Sequence, residues 1–412
     1  MNDVALLRKA YRLMCCARHM AQVYEENRSV CTYVHSTSRG HEAIQLATAF
    51  QLKPADWVSP YYRDESLLLG LGFTPYELML QLLAKADDPF TGGREYYSHP
   101  NYRGTDKPNI IHQSSATGMQ VIPTTGIAQG IQYLQQIASD ILIKNPDGSL
   151  PVVVCSLGDA SMTEGEVSEA LQFAVLKQLP IIYLVQDNNW GISVSAQEAR
   201  AMDAYEYAAG FPGLHRIRCN GADFAESLRT MEHVTAFVRN RRQPYLVQAY
   251  VPLLNHHTSG VRKEFYRSAE DLAQHAQNDP FPLLQRQCLE AGIPLPELQE
   301  IETAVAQQIA ADFERAKNAP EPDPALVETH VFAPTPITEE RGRRAPEGAA
   351  RIPMVDAALF AIRELMQAHP EVVLYGQDVG RRLGGVFREA ATLAEQFGDH
   401  RVFNTAIQEA YI

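Results

Sequence analysis

The chain is expected to fold as an α/β protein built on a mainly parallel sheet, and three stretches of its middle carry that expectation. PVVVCSL at 151–157, LPIIYLV at 179–185 and PYLVQAY at 244–250 are short, nearly continuous apolar runs. Runs of this length without alternation suit strands buried on both faces. Between the first two lies EGEVSEALQFAVLKQ, 164–178, where Val167, Leu171, Ala174 and Val175 recur at helical spacing. Strand, helix and strand in turn call for helices packed over a parallel sheet.

The remaining segments follow in order. Residues 5–30 repeat Leu, Met, Ala and Val every three or four positions, and GHEAIQLATAFQL at 40–52 does the same, so both are read as helices. From 84 to 122 the character changes, and DDPFTGGREYYSHPNYRGTDKPN is rich enough in turn formers to be a long ordered loop. Gly126, Ala128 and Gly130 then open a small-residue helix suited to close packing. Residues 268–317 are mostly helical, broken at NDPFP and GIPLP, and 318–350 is a linker or extended crossing segment rich in proline and charge. Beyond it stand an amphipathic helix (355–370), a strand and turn in EVVLYGQDVG, and strand character in RVFNTAIQEAYI. The expected regions are therefore 1–317, 318–350 and 351–412. The last is short for an α/β domain with this opening, so the chain is expected to be part of a longer one.

Bulk properties narrow the function classes. A chain of 412 residues, 45% apolar and 21% charged, has the composition of a soluble folded protein able to bury more than one core. A formal charge of −13 with no long Lys/Arg stripe argues against nucleic acid as a partner. No run approaches the roughly 18 apolar residues of a membrane span. The opening MNDVALLRKAYRLMCC carries Asp3 and no cleavage site, so a cytoplasmic protein without membrane insertion is expected. Cys15, Cys16, Cys31, Cys155, Cys219 and Cys288 form no CxxC pair and read as thiols.

The chemistry is sought where strands end. Ligands of open α/β sheets sit beyond the carboxyl ends of parallel strands. Asp159 follows VVVCSL and Asn188 follows IIYLVQD, so adjacent strands would bring their oxygens together in a set that suits Mg²⁺ shared with phosphates. A local reading fits as well: Asp159 as a cap or turn residue, Asn188 and Asn189 shaping a turn, Gly191 relieving the backbone. The pair His256–His257 is equally open between a turn, a surface pair and half of a metal site, and without a nearby thiol or carboxylate it argues poorly for zinc. By themselves Tyr62–Arg63 read as a surface tyrosine and a salt bridge, and Glu409 as a solvated charge.

Longer matches bear on these choices. GDASMTEGEVSEALQFAVLKQLPIIYLVQDNNWGIS resembles the thiamine-diphosphate signature of the E1 component of 2-oxo acid dehydrogenase complexes, which begins GDG or GEG and ends NN. The resemblance implies the thiamine-diphosphate-binding fold, with Mg²⁺ held by the side chains of Asp159 and Asn188 and the carbonyl of Trp190, and with Gly158, Ala160 and Ile192 at the cofactor. Ala160 stands where the signature has a second glycine, tolerable if its backbone stays right-handed. SPYYRDES, 59–66, is similar to the diphosphate-contacting segment, which implies Tyr62 as hydroxyl donor and Arg63 as charged fork. SSATGMQVIP, 114–123, is similar to the loop whose backbone meets the pyrimidine and brings Gly118 to the cofactor, but it lacks the SPLATQIP lettering of the potassium-binding members. LLNHHTSG, 253–260, resembles the histidine loop, implying His257 for acyl transfer and His256 for orienting the loop or the diphosphate; Leu253 and Leu254 are apolar where the family often has arginine. Gln186 stands where branched-chain relatives use a diphosphate-binding arginine.

Residues 355–412 resemble the beginning of the E1 beta subunit, a pyrimidine-binding α/β domain. There Glu409 matches the glutamate that bonds N1′ of the aminopyrimidine and so activates the thiazolium carbon, and Gln377 replaces a glutamate of GEDV. The implied protein is a fusion of alpha-like and truncated beta-like parts. It would decarboxylate a 2-oxo acid, of branched-chain type by the SPYYRDES match, and pass the acyl group to the lipoyl arm of an E2 acyltransferase. A homodimer or an α2β2-like assembly of fused chains is implied. The alternatives are a pyruvate dehydrogenase E1, an acetoin dehydrogenase component, or an inactive interaction or assembly subunit.

Overall fold

The computed structural model describes residues 3–410 except 112, 113, 115, 335–338, 340, 341, 345, 382, 387 and 409. The chain divides into two compact units, residues 1–130 with 143–323, and 131–142 with 324–412.

The first unit begins with α1 (Val4–Glu26), capped by the Asp3 carboxylate on the Leu6 N–H. Its buried Leu7, Tyr11, Met14, Ala17, Met20 and Tyr24 fall on one helical stripe. Next come α2 (Glu42–Ala49), β1 (Trp57–Ser59), α3 (Glu65–Leu71), α4 (Pro75–Leu82), β2 (Asn109–Ile110) and α5 (Val121–Gln136). The centre holds β3 (Val153–Gly158), α6 (Gly165–Lys177), β4 (Ile181–Asp187) and the small hairpin β5 (Trp190–Gly191) and β6 (Val194–Ser195). Then α7 (Ala196–Ala199), α8 (Ala204–Ala208), β7 (His215–Asn220), α9 (Phe224–Arg241) and β8 (Tyr245–Tyr250) lead to α10 (Ala269–Gln277), α11 (Pro280–Glu290) and α12 (Leu295–Lys317).

Six strands form one parallel sheet in the order β2-β1-β3-β4-β8-β7. Every residue of β4 is buried, as its unbroken apolar run demands. From β1 the chain moves outward to β2, and from β3 it moves the other way to β4, so a topological switch point lies between β1 and β3. The α/β expectation thus holds for this unit. Short β1, and β7 with Cys219 as its single buried residue, have no apolar run to announce them, and they enter the sheet through pairing alone.

Two local features position the site. Gly40 (φ +99°) starts α2, and a Cβ there would lie 1.8 Å from the Pro252 carbonyl oxygen, so no larger residue fits between α2 and the loop after β8. The segment 84–122 is mostly loop as expected, but contributes β2 and a bridge from Tyr102 to Ile110. The small-residue helix α5 differs from expectation. Ala128 is buried, but a Cβ on Gly126 or Gly130 would meet nothing within 4 Å.

Residues past α12 stay attached to the first unit as far as 321: the Ala86 N–H donates to the Pro320 carbonyl, and Lys85 pairs with Glu321. In the second unit, α13 (Met354–Ala368), β9 (Leu374–Gly376), α14 (Leu393–Phe397) and β10 (Val402–Asn404) surround a small core of Leu359, Met366, Val379, Leu393 and Val402. β9 and β10 pair in parallel around α14. Among the described residues no helix is long and apolar enough to cross a membrane.

Candidate active site

A cavity of about 460 Å³ opens at the carboxyl ends of the central strands of the first unit. Tyr61, Tyr62 and Arg63, just past β1, form one wall. Gly158, Asp159 and Ala160, leaving β3, and Asn188 with Trp190, leaving β4, form a second; His257, in the loop after β8, closes a third. Of the residues singled out from the sequence, these and Ile192 come together, while Gly118 and His256 do not line the cavity.

Register explains the second wall. Gly158 pairs with Gln186, so the next residues, Asp159 and Asp187, leave the sheet side by side, and Asn188 follows one step on. Asp159 opens a 3₁₀ turn that also contains Ala160, a right-handed backbone in which the extra methyl group is harmless. That methyl stands 3.3 Å from where a Cβ on Gly191 would be, so alanine here uses the room glycine leaves opposite. The Asn188 Oδ1 accepts from the Trp190 N–H at 3.0 Å. Asn189 (φ +67°) and Ile192 (φ +60°) turn the chain sharply around this loop. A β-branched residue in that conformation is strained, as backbone at functional sites often is.

Burial first, and then the neighbouring Asp187, pushes the Asp159 carboxyl up to about 7, while Arg200 opposes the rise. Arg200 opposes the rise because an adjacent positive charge favours the charged form. Arg200 was not foreseen. It reaches Asp159, Asp187 and Asn189 together, and the sequence hint would have been the capping box of Ser195 and Glu198 that sets α7 just ahead of it.

Arg63 has no exposed surface, and none of the ion pairs found among the described residues includes it. Its Nη2 donates to the His257 carbonyl at 3.1 Å and its Nη1 to that of Thr37 at 3.5 Å, leaving the buried Nε without a partner. A buried cation with no carboxylate in ion-pair contact among the described residues is costly unless an anion arrives in the cavity it faces, so Arg63 and Tyr62 fit a diphosphate.

His257 is fixed by its surroundings. Its Nδ1 accepts from the Ile192 N–H at 3.2 Å, so in the neutral ring the proton sits on Nε2, 3.0 Å from the Tyr62 hydroxyl oxygen. Burial and the nearby Arg63 push its pKa down to about 3, which keeps the ring neutral. Ser36 Oγ donates to the His257 carbonyl at 2.6 Å and further anchors the loop. His256 points elsewhere. Its Nδ1 accepts from the Lys263 N–H at 3.1 Å, and it lines a separate groove with Arg39, Asn255 and Arg262. The geometry gives His256 a place in ordering the loop and no contact with the cavity.

Gln186 is likewise removed from any diphosphate. It is fully buried, donating to Asp64 Oδ1 at 2.7 Å and Ser156 Oγ at 2.9 Å while accepting from Gln45 and from His41 Nδ1. His41 then accepts from Asn188 Nδ2 at 3.2 Å through its other nitrogen, so this network sets the Asn188 amide. Gly118 (φ +84°) packs against Glu164, where a Cβ would lie 3.0 Å from its side chain; its neighbour Thr117 reaches the cavity instead. Leu253 is buried beneath the histidine loop. Ser115 and Glu409 lie outside the described residues. Among the described residues no three His, Cys, Asp or Glu side chains converge as a metal cage.

A parallel α/β unit with an acid and an amide at adjoining strand ends, facing a buried arginine at the switch point, has its cavity where open α/β folds take their ligands. Residues 11–325 match the model of the dehydrogenase E1 component family, and the chain belongs to that family, which depends on thiamine diphosphate. It is 28% identical to the 2-oxoisovalerate dehydrogenase subunit alpha of Bacillus subtilis, over 78% of this chain and 94% of that one. It is 26% identical to the 3-methyl-2-oxobutanoate dehydrogenase subunit alpha of Mycobacterium tuberculosis, over 79% and 83%. It is also 26% identical to the pyruvate dehydrogenase E1 component subunit alpha of Porphyra purpurea, over 80% and 90%. The chain is thus an alpha-type E1 component of a 2-oxo acid dehydrogenase.

Proposed function

We propose that this chain decarboxylates a branched-chain 2-oxo acid with thiamine diphosphate and Mg²⁺ and transfers the acyl group to the lipoyl arm of an E2 acyltransferase. The observation that carries the reading is Arg63, a buried cation without a carboxylate, facing Asp159 and Asn188 across one cavity. Arg63 and the Tyr62 hydroxyl hold the diphosphate. Asp159 and Asn188 side chains, with the Trp190 carbonyl, hold Mg²⁺, and phosphate oxygens fill the remaining positions. Gly158, Ala160 and Ile192 shape the floor. Bound thiamine diphosphate supplies a nucleophilic thiazolium carbon and an electron sink for the loss of CO₂.

His257 presents Nε2–H beside Tyr62, so it donates a hydrogen bond to the reacting oxygen and manages its proton during acyl transfer. Until substrate takes its place, the Tyr62 hydroxyl oxygen accepts the Nε2–H and keeps its own proton for phosphate. His256 orders the loop from behind. Glu409 is assigned to the aminopyrimidine, within a beta-like part that starts after the linker and works with alpha-like parts in a dimer or α2β2-like assembly. The parallel β9–β10 pair around α14 supports that reading of residues 351–412. Six free thiols suit a reducing compartment, which supports a cytoplasmic place.

The test is lipoyl-dependent consumption of 3-methyl-2-oxobutanoate, pyruvate and acetoin in parallel, with cofactor, Mg²⁺ and lipoylated E2 present. Preference for 3-methyl-2-oxobutanoate is expected. Faster use of pyruvate or acetoin would overturn the substrate assignment, and tight cofactor binding with no turnover in the full assembly would overturn the catalytic one. Asp159→Ala should abolish Mg²⁺-dependent cofactor binding; unchanged affinity refutes its metal role.

A further inference from the structure

Arg200 has no part in the roles just assigned, yet it touches more of the metal half-site than any one of them requires. It follows α7 with its side chain 11% exposed. Nη2 lies 2.9 Å from both Asp187 oxygens and 3.1 Å from Asn189 Oδ1. Nη1 lies 3.1 Å from Oδ2 of Asp159. Asp187 is otherwise held by the Asn189 N–H and by Gln248 Nε2 at 2.7 Å, so both its oxygens are engaged within the protein. The grip on Asp159 involves Oδ2 and leaves Oδ1 outside it.

We propose that Arg200 is the positioning residue of the cation site: it cancels the charge of Asp187 and turns Asp159 so that Oδ1 is presented to a divalent metal. This rests on the reading of Asp159 and Asn188 as ligands. The register sets the problem that Arg200 solves. Asp159 and Asp187 directly follow the paired residues Gly158 and Gln186 of β3 and β4, and two buried carboxylates this close repel each other. Left unpaired, Asp187 would compete for the cation and draw it away from Asn188. With Asp187 paired, the site offers one carboxylate and one amide, matching an ion that takes its other oxygens from phosphates. A planar fork suits this because one guanidinium addresses two carboxylates in fixed directions, which an ammonium cannot do.

The test uses the full chain with thiamine diphosphate and Mn²⁺ as the probe, read by electron paramagnetic resonance titration and line shape, with thermal melting to check folding. Arg200→Met paired with Asp187→Asn removes both charges of that pair and leaves Asp159 as the one carboxylate of the group. It should melt like the wild type and bind Mn²⁺ about 10-fold or more weakly, the usual scale for losing a group that orients a metal ligand. Arg200→Lys should recover part of that affinity with an altered Mn²⁺ line shape. Wild-type affinity in the double variant would make Arg200 a structural pin and overturn the proposal; tighter binding would make it a competitor for Asp159 and do the same. If the double variant does not fold, Arg200→Lys decides, with weaker binding expected and equal affinity and line shape overturning. A wild-type protein that binds no Mn²⁺ with the cofactor would sink the metal reading itself, which separates the two failures.

Discussion

In the proposed role, Arg63 contributes binding at the expense of stability. Its guanidinium is fully buried, bonded to two carbonyl oxygens, with Nε unpartnered. Arg63→Met should therefore leave the melting temperature unchanged or raised, since a buried charge without a counter-ion is unfavourable. The same variant should lose roughly 3 kcal/mol of cofactor affinity, about 100-fold, as measured by calorimetric titration. Glu65 behaves in the opposite way with pH. Burial pushes its carboxyl up to about 8; Tyr97 donates to one oxygen, and the other, Oε1, has no partner. An acid whose folded pKa is raised stabilises the fold fully below its unfolded value, and that contribution is lost as pH rises toward 8. Wild type compared with Glu65→Gln should lose about 1.4 kcal/mol per pH unit between roughly 4.5 and 8 in chemical denaturation; a flat difference would refute the assignment. Neither residue announces its state in the sequence. SPYYRDES proposes Arg63 as a phosphate ligand by resemblance, but its lack of an ion-pair partner among the described residues depends on which carboxylates the fold keeps away.

At the scale of elements, helix ends and strand ends do separate jobs. α4 begins at Thr74, whose hydroxyl accepts from the Glu77 N–H at 3.2 Å while Glu77 reaches back to the Thr74 N–H at 2.7 Å. This box is exposed and far from the cavity wall. Thr74→Ala should cost about 1 kcal/mol of stability in a denaturant titration with cofactor affinity unchanged. β3 and β4 show how far patterning reaches. Their apolar runs locate the strands to within a residue or two, and hence place Asp159 and Asn188 at strand ends. The partner that controls Asp159 comes from α7, a four-residue helix with no buried residue and so no apolar signal. β1 and β7 were invisible for the same reason, one too short and the other an edge strand with exposed or half-buried side chains.

Across the whole molecule, the family match ends at residue 325, close to the division between the two units at 323 and 324. The described residues from 324 to 353 are almost all exposed. Limited proteolysis should therefore cut within this stretch first and leave a fragment ending near residue 323 that stays folded by circular dichroism. Early cuts inside α9 or α12 would contradict a linker there. Local chemistry determined much of this protein: apolar runs buried on both faces specify the parallel strands, helical stripes specify α1 and α6, and the spacing of GDAS and DNNW puts an acid and an amide at strand ends. Tertiary structure alone decided which neighbours those groups have. Arg200 on two aspartates, His41 bridging Gln186 and Asn188, and His256 turned away from His257 depend on residues far apart in the chain or side chains pointing opposite ways. Strand register and side-chain direction settle such contacts, and both are fixed only when every element has packed against the others.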